Sequence, residues 1–238
     1  MARLAPITCI AGALAALATG SGCNGERIKL GNGPKLLVDG AACPHAQVSA
    51  SQVVWIGDSW VTIPGNQHTG VRDLARATSA IGPSDDYTID AANGTLIGQI
   101  AVQYTAQEAT ATKAKVLVMD GGTLDTIMMN TSATVTSVAN SFTQLLSTVA
   151  GDGTVTAIIY FLMPELPNIP GVAALRPLLQ QSCTQSTVPC FFLDLQPLWV
   201  GHPEYTDTAS GGIFPTDAGG TVIADAIWGI MQSNCIAQ

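Results

Sequence analysis

Positive charge is scarce in this chain: nine lysines and arginines stand against seventeen acids, for a formal net charge of −8 over 238 residues. Without a cationic surface nothing attracts a phosphate backbone or an anionic lipid head group, which argues against nucleic acid as a partner. Charged residues of both signs make up only 11%, whereas Ala, Gly, Ser and Thr abound, a composition suited to a tightly packed soluble protein outside the cytoplasm. Histidine is rarer still. His45, His68 and His202 are the only three, and none pairs with cysteine at zinc-ligand spacing, so no metal is expected. Gly121-Gly122 and Gly219-Gly220 lack the spacing and the following acid of a phosphate-binding fingerprint and read as turn and packing glycines; no cofactor is implied. There is no internal repeat and no low-complexity linker. At 47% hydrophobic, the length supports one well-buried core.

What the chain does have begins with an export signature. Met1-Ala2-Arg3 supplies one positive charge, Leu4 to Thr19 is almost wholly apolar and Gly20-Ser21-Gly22-Cys23 is a small-residue end, the three-part layout of a secretory signal over residues 1–22. Cleavage is the favoured fate, with an uncleaved anchor as one alternative. Cys23 also resembles the lipidated cysteine of bacterial lipoproteins, which would anchor the protein to a membrane, although Gly20 stands where that motif has leucine. A secreted or cell-envelope location follows. Residues 23–50 are rich in Gly, Pro and Ala without periodicity and read as an extended approach to a domain over 51–238. An even set of cysteines past Cys23 favours disulfides in an exported protein. Cys183 and Cys190 close a short loop, which leaves Cys43 and Cys235 as a clasp between the two ends, with other connectivities open.

The chain is organised around Val53-Val54-Trp55-Ile56-Gly57-Asp58-Ser59-Trp60, an apolar β-branched run that stops at a glycine, an acid and a serine. It reads as a first core strand that delivers Ser59 to the edge of a sheet, where ligands of open α/β sheets bind. Two readings of Ser59 stand at this point: a nucleophile, or a residue that caps the next helix. Downstream, helical spacing predicts a crossover helix over 71–81, then a strand over 87–90, a helix over 96–104, a buried strand over 116–119 and a helix over 134–149. A strand over 156–162, a helix over 172–179, a strand over 191–195 and a helix over 216–231 complete the pattern, with Pro215 opening the last helix. Such alternation predicts a three-layer αβα sandwich around a mostly parallel five-stranded sheet of flavodoxin-like kind.

The order and spacing of these segments resemble the SGNH, or GDSL-type, serine esterase family from about Val53 to Trp228. Gly57-Asp58-Ser59-Trp60 matches the block whose serine is the nucleophile, and Gly94 falls where a second block lends a backbone N–H to the oxyanion hole beside the amide of Ser59. The resemblance implies a hydrolase acting on a small acyl or acetyl ester. Departures from the family pattern are concentrated at the chemistry. The family asparagine of the oxyanion hole maps to Leu124, or to Thr123 with a shift of one. The family aspartate and histidine map to Gly211 and Phe214.

A serine hydroxyl is a poor nucleophile until a base takes its proton, and Phe214 cannot do so. His202 lies in the same loop as Phe214, with Glu204 and Asp207 near it in sequence, and is the substitute base to consider; His68, near Ser59 in sequence, ranks below it and His45 lower again. Asp120, Asp125 and Asp194 sit at strand ends and read as capping or turn acceptors rather than metal ligands. Trp55 and Trp60 read as core. Two functions remain open: a weak secreted esterase with a rearranged base, or a non-catalytic descendant that binds an acylated glycan or lipid. The oligomeric state is not legible.

Overall fold

A computed structural model describes residues 48–62, 67–129, 131–167, 169 and 171–237. The signal segment 1–22, Cys23, Cys43 and His45 lie outside the described residues, as does most of the extended segment 23–50. The strands are β1 (Val53–Ile56), β2 (Thr88–Ile89), β3 (Val116–Met119), β4 (Ala157–Leu162) and β5 (Cys190–Asp194). They form one sheet in the order β2-β1-β3-β4-β5, every pairing parallel. Residues of β1, β3 and β4 are buried without exception. That is why these strands read as continuous apolar runs rather than alternating ones: helices cover both faces.

The helices are α1 (Ser59–Thr62), α2 (Gln67–Ala77), α3 (Ile97–Glu108), α4 (Thr123–Met128), α5 (Ser132–Asp152), α6 (Val172–Gln185), α7 (Gln196–Trp199) and α8 (Asp217–Ser233). From β1 the chain steps one way to β2 and then back across to β3, and right-handed crossovers in opposite directions put their helices on opposite faces. Accordingly α2 packs on α8, whereas α5 packs on both α3 and α6. Three layers result, with the sheet in the middle.

The predicted crossover helix ends early, at Ala77 rather than 81. Ser79 adopts a left-handed φ of 60° and the Ala80 amide turns back to the Ala75 carbonyl at 2.9 Å, a helix-ending loop without glycine. The second strand is shorter than its predicted 87–90 because the amides of Asp90 and Ala91 both turn onto the Trp55 carbonyl, which ends the ladder. At the other end of the chain, Pro215 precedes α8 instead of opening it. Thr216 takes the cap position, its hydroxyl accepting from the Gly219 amide at 3.2 Å.

Cys183 and Cys190 are bonded, stapling α6 to β5 across a separation of 7 residues. Cys235 is disulfide-bonded as well; Cys43, its expected partner, is outside the described residues. Among those residues, no helix is long and apolar enough to cross a membrane.

Candidate active-site crevice

Every strand sends a segment from its carboxyl end to one crevice of about 180 Å³. Ser59 follows β1, Gly94 follows β2, Leu124 follows β3, Met163 and Ile169 follow β4, and Phe214 arrives after β5. This is where ligands of open parallel sheets sit, because the strand order reverses beside β1 and opens a gap between adjacent loops.

The turn that presents Ser59 is tightly determined. Gly57 has φ +134°, and a Cβ there would stand 2.0 Å from Asp120 Oδ1. Gln103, from α3, grips both sides of this glycine: the Gly57 amide donates to Gln103 Oε1 at 2.7 Å, and Gln103 Nε2 donates to the Gly57 carbonyl at 3.0 Å. Next, the Asp58 amide donates to Asp120 Oδ1 at 2.6 Å. In turn Asp58 Oδ1 accepts from the amides of Gly94 at 2.8 Å and Thr95 at 3.1 Å. One acid thus ties the β1 turn to the β2 turn, and another ties it to β3. On the far side, the Tyr160 hydroxyl of β4 donates to the Gly121 carbonyl at 2.7 Å.

Burial sets the electrostatics here. Asp58 and Asp120 are both 6% exposed. Burial, then the charge of Asp58, pushes the Asp120 carboxyl up to about 8, against the pull of the backbone N–H groups it accepts from. Asp125 is raised as well, chiefly by burial, although it accepts from the Ile97 amide at 3.0 Å. Asp194 accepts from Gln196 N at 3.0 Å and from Arg176 Nε at 3.1 Å. Asp120 and Asp194 thus accept hydrogen bonds at strand ends, whereas Asp125 lies in the first turn of α4 rather than at a strand end and accepts from the first amide of α3.

Ser59, Gly94, Leu124 and Phe214 line the crevice together. Gly94 brings its amide there already committed to Asp58. No side chain among the described residues hydrogen-bonds the Ser59 hydroxyl. Gly211 is not part of the lining: it sits exposed in a turn at φ 80°, its amide donating to the Thr208 carbonyl at 3.2 Å. His202 is elsewhere too. Its Nδ1 meets Glu204 Oε1 at 2.8 Å, its ring stacks on Tyr205 at 4.6 Å, and its side chain is 47% exposed.

From His202 to the crevice runs a series of rings, Tyr205 to Trp199 at 5.4 Å and Trp199 to Trp60 at 5.8 Å, so two aromatic side chains stand between this imidazole and the crevice wall. Asp207 is occupied in capping its own turn through the Ala209 amide at 2.9 Å. His68 falls in the first turn of α2. Trp55 and Trp60 are core residues, and Trp60 also faces the crevice.

Sequence reasoning missed Gln103, the role of Asp58 as a staple, and the apolar lining from Ile127, Phe161, Met163, Ile169 and Ile213. Only Asp120, as an acid ending a strand, gave any signal. The others are ordinary helix, strand and loop residues until the fold assembles them.

No family model matches the sequence, and no curated protein does. Solved structures do match. An acetyl esterase mutant determined with an acetate ion superposes with a TM-score of 0.61 at 16% identity, covering 75% of this chain and 95% of that one. A carbohydrate esterase family 3 protein from Talaromyces cellulolyticus gives 0.61 at 18% identity, over 75% and 95%. A protein from Desulfitobacterium hafniense DCB-2 assigned to the G-D-S-L family of lipolytic proteins gives 0.58 at 14% identity, over 75% and 98%. With its parallel sheet, its serine turn after β1 and these neighbours, the chain has the SGNH/GDSL hydrolase-like fold.

Proposed function

We propose that this protein is an extracytoplasmic homologue of the SGNH-type ester hydrolases that binds an acyl ester in the crevice beside Ser59 and hydrolyses it poorly or not at all. The observation that carries this reading is the company Ser59 keeps: Phe214 and Leu124 line the crevice with it, and no imidazole does so among the described residues. Loss of the base costs several orders of magnitude in rate, and loss of one oxyanion donor costs on the order of 10²–10³, though the two do not add. The Cys183–Cys190 bond supports a location outside the cytoplasm.

Hydrolysis of a nitrophenyl acetate tests it. The expected rate is barely above background and unchanged by Ser59→Ala. Gly211→Asp with Phe214→His should raise it, further with Leu124→Asn, by restoring orienter, base and oxyanion donor. Position 211 has room for the change, since nothing lies within 4 Å of a Cβ built there, and aspartate tolerates its left-handed φ better than most residues. Brisk turnover by the unmodified protein, abolished by Ser59→Ala, would overturn the proposal; a matching loss with His202→Ala would name the base.

A further inference from the structure

We propose that what the crevice recognises is the aliphatic chain of a neutral acyl ester, and that this chain enters over the exposed end of α4. The inference rests on the ester-binding reading above and adds the ligand's character to it. Leu124, Ile127, Phe161, Met163, Ile169 and Phe214 give the crevice an apolar wall. An acetyl group would touch little of that wall, whereas a chain of several methylenes would displace water from all of it.

The polar side decides between an ester and a free acid. It consists of Asp58, Ser59, Asn93, Gly94, Asp120 and Thr123. Ser59 and Asn93 can donate hydrogen bonds to a carbonyl oxygen. No lysine, arginine or histidine is found among the described lining residues. A free carboxylate would meet the charge of Asp58 and no cation among the described lining residues, and a buried charge without a partner is strongly disfavoured. An ester carries no such charge.

The mouth supports the same ligand. Ile127, Met128 and Met129 follow one another at the end of α4 with 38%, 69% and 63% of their surface exposed. Ile127 also lines the crevice, and Met129 lies in a separate groove with Leu96, itself 37% exposed. Scattered apolar side chains on a surface mean little, but Ile127 is both exposed and part of the crevice lining, so the apolar wall reaches the surface at this end of α4. Methionine side chains, flexible and polarisable, suit the passage of chains of varied shape. The net charge of −8 favours a neutral amphiphile over an anionic one.

Calorimetric titration of the full chain with glycerol monoesters, from acetate to dodecanoate and below their micelle-forming concentrations, tests this. Affinity should rise about fourfold per added methylene until the crevice is filled. Sodium dodecanoate should bind at least about tenfold more weakly than the dodecanoate ester, the least expected when a charge is buried unpaired. Ile127→Glu, at an exposed position, should keep the parent melting temperature and lose about tenfold or more in affinity for that ester.

A flat series, with the monoacetate as tight as the dodecanoate, overturns the chain assignment while leaving ester binding intact. Equal binding of the free acid overturns the neutral-ester assignment. Unchanged binding by Ile127→Glu shows that the chain lies elsewhere and also overturns it. Failure of every ester to bind, acetate included, overturns the ester-binding reading as well.

Discussion

Replacing Asp120 with asparagine should make the protein markedly more resistant to urea near pH 8 and leave it almost unchanged only near pH 3, below the unfolded value of an aspartate. In the fold this carboxyl keeps its proton up to about 8, against about 3.9 in an unfolded chain. Between those values the unfolded state has released the proton and the native state still holds it. The unfolded state therefore binds fewer protons, and stability falls as pH rises through this window. The loss runs at about 1.4 kcal/mol per pH unit, so moving from about pH 5 to about pH 7.5 removes on the order of 3 kcal/mol through this one group. Above about 8 the loss levels off, because both states are then ionised.

Asparagine imitates the protonated acid. Its Oδ1 can still accept from the Asp58 amide, as Asp120 Oδ1 does at 2.6 Å, yet it has no proton to lose. Urea titrations of both proteins across that range give the difference directly, and other raised acids such as Asp125 cancel in the comparison. Asp58→Asn should move the break in the parent curve downward without abolishing it, since burial outweighs the charge of Asp58 as a cause. Parallel curves for the parent and Asp120→Asn would mean that Asp120 is ionised in the fold, and the electrostatic account of the crevice floor would fall with it.

Gly57→Ala should destabilise by about 2–6 kcal/mol, the sum of an unfavourable backbone conformation and an overpacked contact, because the new Cβ would stand 2.0 Å from Asp120 Oδ1 at φ +134°; an unchanged urea midpoint would refute the clamp. Cys183→Ser combined with Cys190→Ser should cost about 2.5 kcal/mol from the loop entropy of a crosslink spanning 7 residues, read as a lowered urea midpoint that no longer responds to a reducing agent acting on this bond. An equal midpoint for the parent and the double variant would argue against the staple.

Legibility in the sequence followed burial and length. The strands that became β1, β3 and β4 were plain because each is buried on both faces and has nothing but apolar residues to show. β2 was overextended because its ladder ends through two amides sharing the Trp55 carbonyl, a fact of pairing rather than of composition. α1, α4 and α7 went unseen: elements of four to six residues are too short to display a helical period.

α6 runs on to Gln185, past the predicted end at Leu179, because Ser182 and Cys183 supply its buried face where larger apolar residues were expected. The positions of Ser59, Leu124 and Phe214 were found through resemblance to a family's motifs, and their meeting in one crevice is what the fold adds. Gln103 could not have been found. Its role depends on α3 lying beside the β1 turn, 46 residues away in the chain.

The departures from the SGNH pattern also belong together physically. If Phe214 and Leu124 stand where the resemblance puts a histidine and an asparagine, each removes a polar group from the crevice and adds an apolar one, and both line the same wall. An imidazolium formed during catalysis would need a carboxylate to stabilise it, and with no histidine at 214 an aspartate at 211 would have nothing to orient. Glycine there, with φ 80° and open space around it, fits a turn released from that duty. Water leaves a crevice more readily as its walls lose polar groups, and a drier floor raises the cost of ionising Asp120. On the function proposed above, the same side chains that leave Ser59 without a proton-transfer apparatus give the crevice its apolar wall, and the Ser59 hydroxyl would hold an ester carbonyl rather than attack it.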